Sequence, residues 1–270
     1  MDAGYDLDPH SASANAAQAD YVLRSAAVAE AEGARLDLAY GAHPRQRLDV
    51  FGAGAGAGAA AILFFHGGYW RAGSKDSRRF PAPAWQARGV AWIPVNYRLV
   101  PDATLEDAVA DARAALTFVA AQAGALGVDP ARLHLSGNSA GAHLAAMAAA
   151  EGWPGRPPVA SLSVVSGLFD LEPLLQAGAN DWLGLDAGRA RAMSPVHHLP
   201  PRDLPVLVGC GGAETQAFKA QGAEFAAACR ARGNPVAGFE APGHDHFQVI
   251  GDYAAPGSGL FDGLARMIGA

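Results

Sequence analysis

The chain has 270 residues, half of them hydrophobic and only 17% charged. Such a composition supports a large buried core and excludes global disorder. Acidic residues outnumber basic ones 26 to 20, for a formal net charge of −6 with no basic run, which argues against nucleic acid or an anionic membrane as partner.

The acidic start, Met1-Asp2-Ala3-Gly4-Tyr5-Asp6, lacks the basic and apolar regions of a signal peptide. No run of uncharged apolar residues reaches the length of a membrane span, so the expectation is a soluble, cytoplasmic protein. Residues 11–32 are alanine-rich with apolar positions at helical spacing, and Gly33 is a natural stop. Residues 35–40 and 46–51 alternate apolar and polar positions and predict two early strands. The low-complexity run at 52–61 reads as a mobile surface connection.

From there the pattern changes. Short continuous apolar runs at 61–65, 90–95, 133–135, 159–165 and 204–208 predict strands covered on both faces. Helical periodicity fills 105–123, 140–150 and 216–231 between them, and a last strand falls at 236–240. This βαβα order predicts one α/β domain over 1–270, with a mostly parallel, doubly wound sheet and ligands at the carboxyl ends of its strands. Residues 168–201 fit the alternation poorly and are read as a lid insertion. Cys210, in a strand, and Cys229, in the next helix, are read as buried reduced thiols.

The chemistry centres on Gly137-Asn138-Ser139-Ala140-Gly141, a G-x-S-x-G placed between a strand and an alanine-rich helix. That context holds a serine on a strained elbow with its hydroxyl above the sheet, and bulky side chains at either glycine would strike the neighbouring strand and helix. A serine hydroxyl also needs a base, and its attack needs donors for the oxyanion that forms. His66-Gly67-Gly68-Tyr69-Trp70 follows the strand at 61–65, and glycines there let main-chain N–H groups approach a substrate oxygen. Gly67, Gly68 and Ala140 are the predicted oxyanion hole.

The acid and base of such a site follow the serine in the chain, acid first. Glu214 is the only carboxylate between the strand at 204–208 and the next helix, and it is the predicted acid. Of the histidines beyond the serine, His143 lies one helical turn on and reads as packed, and His197 and His198 fall in the lid segment. His244 and His246, in the loop after the last strand, both remain as bases.

These residues together resemble the arylformamidase (kynurenine formamidase) type of α/β-hydrolase, within the hormone-sensitive-lipase-like esterases. The likeness rests on His66–Trp70 with Gly73-Ser74-Lys75-Asp76, on Val95-Asn96-Tyr97-Arg98-Leu99, and on GNSAGAHL at 137–144. It returns at Glu214 with Phe218 and at Asp245-His246-Phe247, and it favours His246 over His244 as base. The resemblance implies an α/β-hydrolase fold with a Ser139, Glu214 and His246 triad that works without cofactor or metal. Glu214 departs from the aspartate of eukaryotic members, and Asn138 stands where histidine is common.

The resemblance further implies hydrolysis of a small-molecule substrate, a formyl group being cleaved from an aryl amide such as N-formylkynurenine. Tyr69 and Trp70, with Phe169 or Trp182, would then supply aromatic walls for the ring. A carboxylesterase for short acyl esters would use the same triad. A non-catalytic binding protein on this fold would generally lack a triad member, and here all three have candidates. His244-Asp245-His246 is too small a cluster for a catalytic metal. Nothing in the sequence marks an oligomer interface. A histidine base predicts activity that rises with pH as the imidazole loses its proton; a flat rate profile between about pH 5 and 8 would count against it.

Overall fold

The computed structural model describes residues 4–30, 33–52 and 58–270. Its strands are β1 (Arg35–Ala39), β2 (Arg47–Val50), β3 (Ala59–Phe65), β4 (Val90–Val95), β5 (Val128–Asn138), β6 (Ser161–Val165), β7 (Val206–Gly211) and β8 (Val236–Ala241). They form a single sheet in the order β1-β2-β4-β3-β5-β6-β7-β8. The first two pairings are antiparallel and the rest parallel, so the expected mostly parallel, doubly wound α/β architecture is present.

The strand sequences account for this layering. In β3, Ala61, Leu63 and Phe65 join one hydrophobic cluster while Ala60, Ile62 and Phe64 join another. A strand apolar on both faces must be covered on both faces. The first face takes α3 (Leu105–Ala121), α5 (Ala140–Ala149) and α8 (Gln216–Arg232); the opposite face takes α1 (Ala12–Ala29), α2 (Ala82–Gln86) and α9 (Gly259–Ile268). All ten residues of α5 are buried, as a helix apolar on every side but for His143 requires. The edge strands β1 and β8 and the first half of β5 carry the exposed positions.

Several boundaries differ from the sequence pattern. The run at 52–61 lies in part outside the described residues, at 53–57, and Ala59-Ala60-Ala61 already belong to β3. Residues 31–32 of the predicted first helix also lie outside them. β5 starts well before its apolar core at 133–135, because Val128 already pairs with Ala59 of β3; the register then shifts before pairing resumes at Leu133 opposite Ala61. The predicted helix at 105–123 breaks at Gln122 into α3 and the short α4 (Ala123–Leu126), which ends at Gly127 with φ 74°. β7 runs on through Gly209-Cys210-Gly211, beyond the apolar run at 204–208, and Cys210 lies in a strand.

Residues 168–201 fold as short helical turns, including α6 (Asn180–Leu183) and α7 (Ala187–Ala192). Leu168, Phe169, Leu171, Leu174 and Leu183 sink into the main core cluster, and Arg189 pairs with Glu106 on α3 at 2.8 Å. Cys210 and Cys229 are free, and burial raises both thiols, to about 11 and about 12. Among the described residues, no helix is long and apolar enough to cross a membrane.

A buried ionic knot ties the single-turn helix Lys75–Arg78 to β1 and β2. The Lys75 ammonium, 1% exposed, lies 2.8 Å from Asp49, 2.7 Å from Asp37 and 3.0 Å from Asp76. Arg79 holds the other Asp49 oxygen at 2.7 Å. Removing one partner of a buried pair typically costs about 3–5 kcal/mol, because the other charge is left uncompensated.

Three histidines are buried in neutral surroundings. Burial depresses His66 to about 3 and His134 and His143 to about 4, against an ordinary 6.5. Below pH 6.5 the unfolded chain therefore binds protons that the folded chain refuses. Their contribution to stability is complete above that pH and is lost as pH falls toward 4. Urea unfolding at a series of pH values should show this decline, and His134→Gln should flatten it by up to ~1.4 kcal/mol per pH unit, the slope of one proton.

Candidate active site

The predicted nucleophile sits where β5 turns abruptly into α5. Ser139 adopts φ 54° and ψ −124°, a conformation costly for a residue with a Cβ and kept only where its surroundings enforce it. Its N–H donates to Val165 O at 2.8 Å. The two flanking glycines make the turn possible. A Cβ on Gly141 would stand 2.0 Å from Phe65 O, and one on Gly137 would stand 2.3 Å from Gly141 O. Both obstacles are main chain, so neither can swing aside.

The predicted acid and base arrive on adjacent parallel strands. β7 and β8 pair up to Gly211 opposite Ala241, and their following loops then touch: Gly212 N donates to Ala241 O at 2.8 Å, and Ala213 N to His244 O at 2.9 Å. A Cβ on Gly211 would meet His244 O at 2.3 Å. This close approach brings His246 Nδ1 to 2.8 Å from Glu214 Oε2, with both residues buried. Phe218 lies against the imidazole, ring centroids 4.5 Å apart.

Glu214 is well supplied with donors. Its Oε1 accepts from Gly211 N at 2.7 Å and from the Ser166 hydroxyl. Burial alone would raise its pKa, but the His246 partner, Ser166 and the Gly211 N–H outweigh that and hold the carboxyl below its ordinary range. Ser166 had no signal in the sequence. It lies just past β6 with φ 52°, and only the pairing of β6 with β7 brings it to the acid. His244 turns elsewhere, with Nδ1 3.5 Å from Asp252, so the two histidines of the H-x-H run serve different partners.

The glycine-rich turn after β3 packs against the elbow and corrects two expectations. Gly67 N–H donates to Asn138 Oδ1 at 3.2 Å, so it is not one of the free oxyanion donors. Its missing Cβ matters instead: one there would fall 2.7 Å from Asn138 Nδ2 and 3.1 Å from Ser139 Cβ. Gly68, with φ 116°, lines the same cavity as Ser139, and Ala140 is the first residue of α5. Trp70 is not a substrate wall. It is fully buried, edge-on to His143 at 4.9 Å, and lies outside the cavity lining. Phe169 likewise stacks on Phe225 in the core. His143 is packed as expected, with Nε2 2.7 Å from Met193 O.

Ser139 and His246 line one cavity of about 500 Å³, together with Gly67, Gly68, Tyr69 and Trp182. Residues 168–201 contribute Ala179 and Trp182 to its wall. The N-terminal segment, silent in the sequence, supplies Tyr5, Asp6, Leu7, Pro9, Ala14 and Gln18. Hydrogen bonds clip it to the loops around the site. Tyr69 Oη donates to Tyr5 O, Thr215 Oγ1 donates to Gly4 O, and Ser13 Oγ donates to Asp245.

Comparison with known proteins agrees with this picture. The BD-FAE family model matches residues 48–153. A kynurenine formamidase of Danio rerio is 29% identical over 243 residues, 87% of this chain and 82% of that protein. A thioesterase candidate from Silicibacter sp. TM1040 superimposes with a TM-score of 0.86 at 29% identity, over 100% of this chain and 98% of that one. EstE1, a thermostable carboxylesterase from a metagenomic library, shares the fold with a TM-score of 0.71 at 23% identity, over 97% and 95% of the two chains. The protein is thus an α/β-hydrolase, and an enzyme of the serine hydrolase class. Over most of its length it is similar to kynurenine formamidases, at 28–29% identity.

Replacing Gly141 with alanine drives a Cβ into the backbone of β3. The expected cost is about 3 kcal/mol, the upper end for overpacking, measurable as a lowered urea midpoint together with lost activity.

Proposed function

We propose that this enzyme removes a formyl group from an aryl amide such as N-formylkynurenine, through a formyl-enzyme on Ser139. The observation that carries the proposal is the Glu214–His246 pair, held at 2.8 Å, whose His246 lines the same cavity as the elbow serine. Two further features support it. The likeness to the Danio rerio kynurenine formamidase spans most of both chains, and Tyr69, Trp182 and Phe247 bring aromatic rings to the cavity that holds the serine.

In this reading Ser139 Oγ attacks the formyl carbon while His246 Nε2 takes the hydroxyl proton. Glu214, on Nδ1, keeps the imidazole in the required tautomer and stabilises the imidazolium. The N–H groups of Gly68 and Ala140 receive the oxyanion, each such donor being worth about 3–4 kcal/mol in the transition state. The arylamine departs with the proton from His246. Water, deprotonated by the same histidine, then attacks the formyl ester; formate leaves and Ser139 is restored. Residues 168–201 act as a fixed cap, since their apolar side chains are anchored in the core.

Ser139→Ala should lower kcat by at least about 10⁴-fold and abolish labelling by a fluorophosphonate probe. Turnover of N-formylkynurenine should exceed that of p-nitrophenyl butyrate. A protein that ignores the formamide but hydrolyses the butyrate ester rapidly is a carboxylesterase with the same triad. A folded protein that the probe never labels is a receptor on this fold.

A further inference from the structure

The helical turn Lys75–Arg78 and the residue after it carry three cations, and their environments differ sharply. Lys75 and Arg79 are neutralised by Asp37, Asp49 and Asp76. Arg78 lies between them, 8% exposed, and no carboxylate of the described residues comes within ion-pair distance of it. Arg78 lines the cavity that also holds Ser139 and His246.

The Arg78 hydrogen bonds are unevenly spread. Nη1 donates to Ser77 O and Ser77 Oγ, both at 2.9 Å. Nη2 has only the Gln18 carboxamide oxygen, at a long 3.3 Å, and Nη1 reaches the same oxygen at 3.4 Å. Nε is buried with no hydrogen-bond partner among the described residues. The Tyr21 ring lies 5.5 Å from the guanidinium carbon. Burial draws the guanidinium down to about 10, opposed only by Tyr21 and Tyr97.

A buried, unpaired guanidinium is costly unless an anion joins it. The under-served edge runs from Nε to Nη2, and this is an edge that a carboxylate can engage with two parallel hydrogen bonds. Gln18 occupies that edge from α1, where it is otherwise exposed, and a side-chain rotation would clear it. A single buried cation matches a monoanion. Arg71, at the cavity rim and stacked over Trp182 at 4.8 Å, adds positive potential at the entrance.

We propose that Arg78 is the anion anchor of the active-site cavity, binding a carboxylate carried by the substrate while the scissile carbonyl rests at Ser139. This rests on the hydrolase reading above and narrows it: the preferred substrates are acyl compounds that also bear a carboxylate, and neutral esters are poor ones. An incoming carboxylate displaces the Gln18 carboxamide and takes the Nε and Nη2 protons.

Two measurements on the full-length protein test this separately. The first is the ratio of kcat/KM for N-formylkynurenine to that for its carboxamide, in which the anion is neutralised. Arg78→Gln should lower the ratio at least tenfold, mainly through KM, and Arg78→Lys should restore much of it. An unchanged ratio overturns the proposal, as does an equal loss on both compounds, which would mark a purely structural residue. The second is calorimetric binding of 4-phenylbutyrate against 4-phenylbutyramide, which needs no turnover. The carboxylate should bind at least tenfold tighter than the amide, lose that margin in Arg78→Gln, and bind tighter still in Gln18→Ala. Equal binding of acid and amide overturns the anchor whatever the enzyme hydrolyses. If the margin is present but the formamide is never cleaved, the anchor stands and the formamidase reading falls.

Discussion

The turn at Ser139 is the constraint on which the rest depends. A strand buried in the centre of a parallel sheet must pass within a single residue into a helix packed on that sheet. The serine pays for this with a left-handed backbone. Such a turn survives only because β3, β5 and α5 approach until no Cβ fits at Gly137 or Gly141. The same approach places the Gly67 turn against Asn138 and Ser139, so the nucleophile and its neighbouring main-chain donors form one rigid body.

Around that point the molecule manages buried charge in two ways. Lys75, Arg79 and Glu214 are given partners: acids for the two cations, and His246 with two donors for the carboxylate. In a low-dielectric interior such pairing is what keeps the groups ionised. Arg78 is handled differently, with neutral acceptors and an aromatic face, and it is the one that borders the cavity. A polar site walled by apolar side chains is also where ordinary electrostatic interactions gain strength, because water is largely displaced.

The cavity is assembled from distant parts of the chain. The elbow and the glycine turn come from the centre of the sheet, Glu214 and His246 from its β7–β8 edge, and the outer wall from residues 4–18 and 168–201. None of these walls is a separate module. The insertion is anchored by leucines in the main core, and the N-terminal segment is clipped by hydrogen bonds to the loops beside Tyr69, Glu214 and His246.

Much of this was legible in the order of residues alone. Continuous apolar runs imply strands buried on both faces, which fixes a parallel sheet, and a serine between two glycines at a strand-to-helix boundary implies the elbow. Glu214 could be found because it is the only carboxylate in its loop. These are local signals, carried by periodicity and short spacing. Tertiary structure decided whatever depends on pairing between distant segments. It separated His246, drawn to Glu214, from His244, drawn to Asp252. It turned the Gly67 N–H to Asn138, placed Trp70 in the core, and brought Ser166 to Glu214 and Tyr5 to Tyr69. Among the described residues, it also left Arg78 without an acid while its neighbours found theirs. A charge run such as Lys75-Asp76-Ser77-Arg78-Arg79 shows which charges exist. Which of them is paired depends on the strands and helices that pack around it, and those lie tens of residues away in the chain.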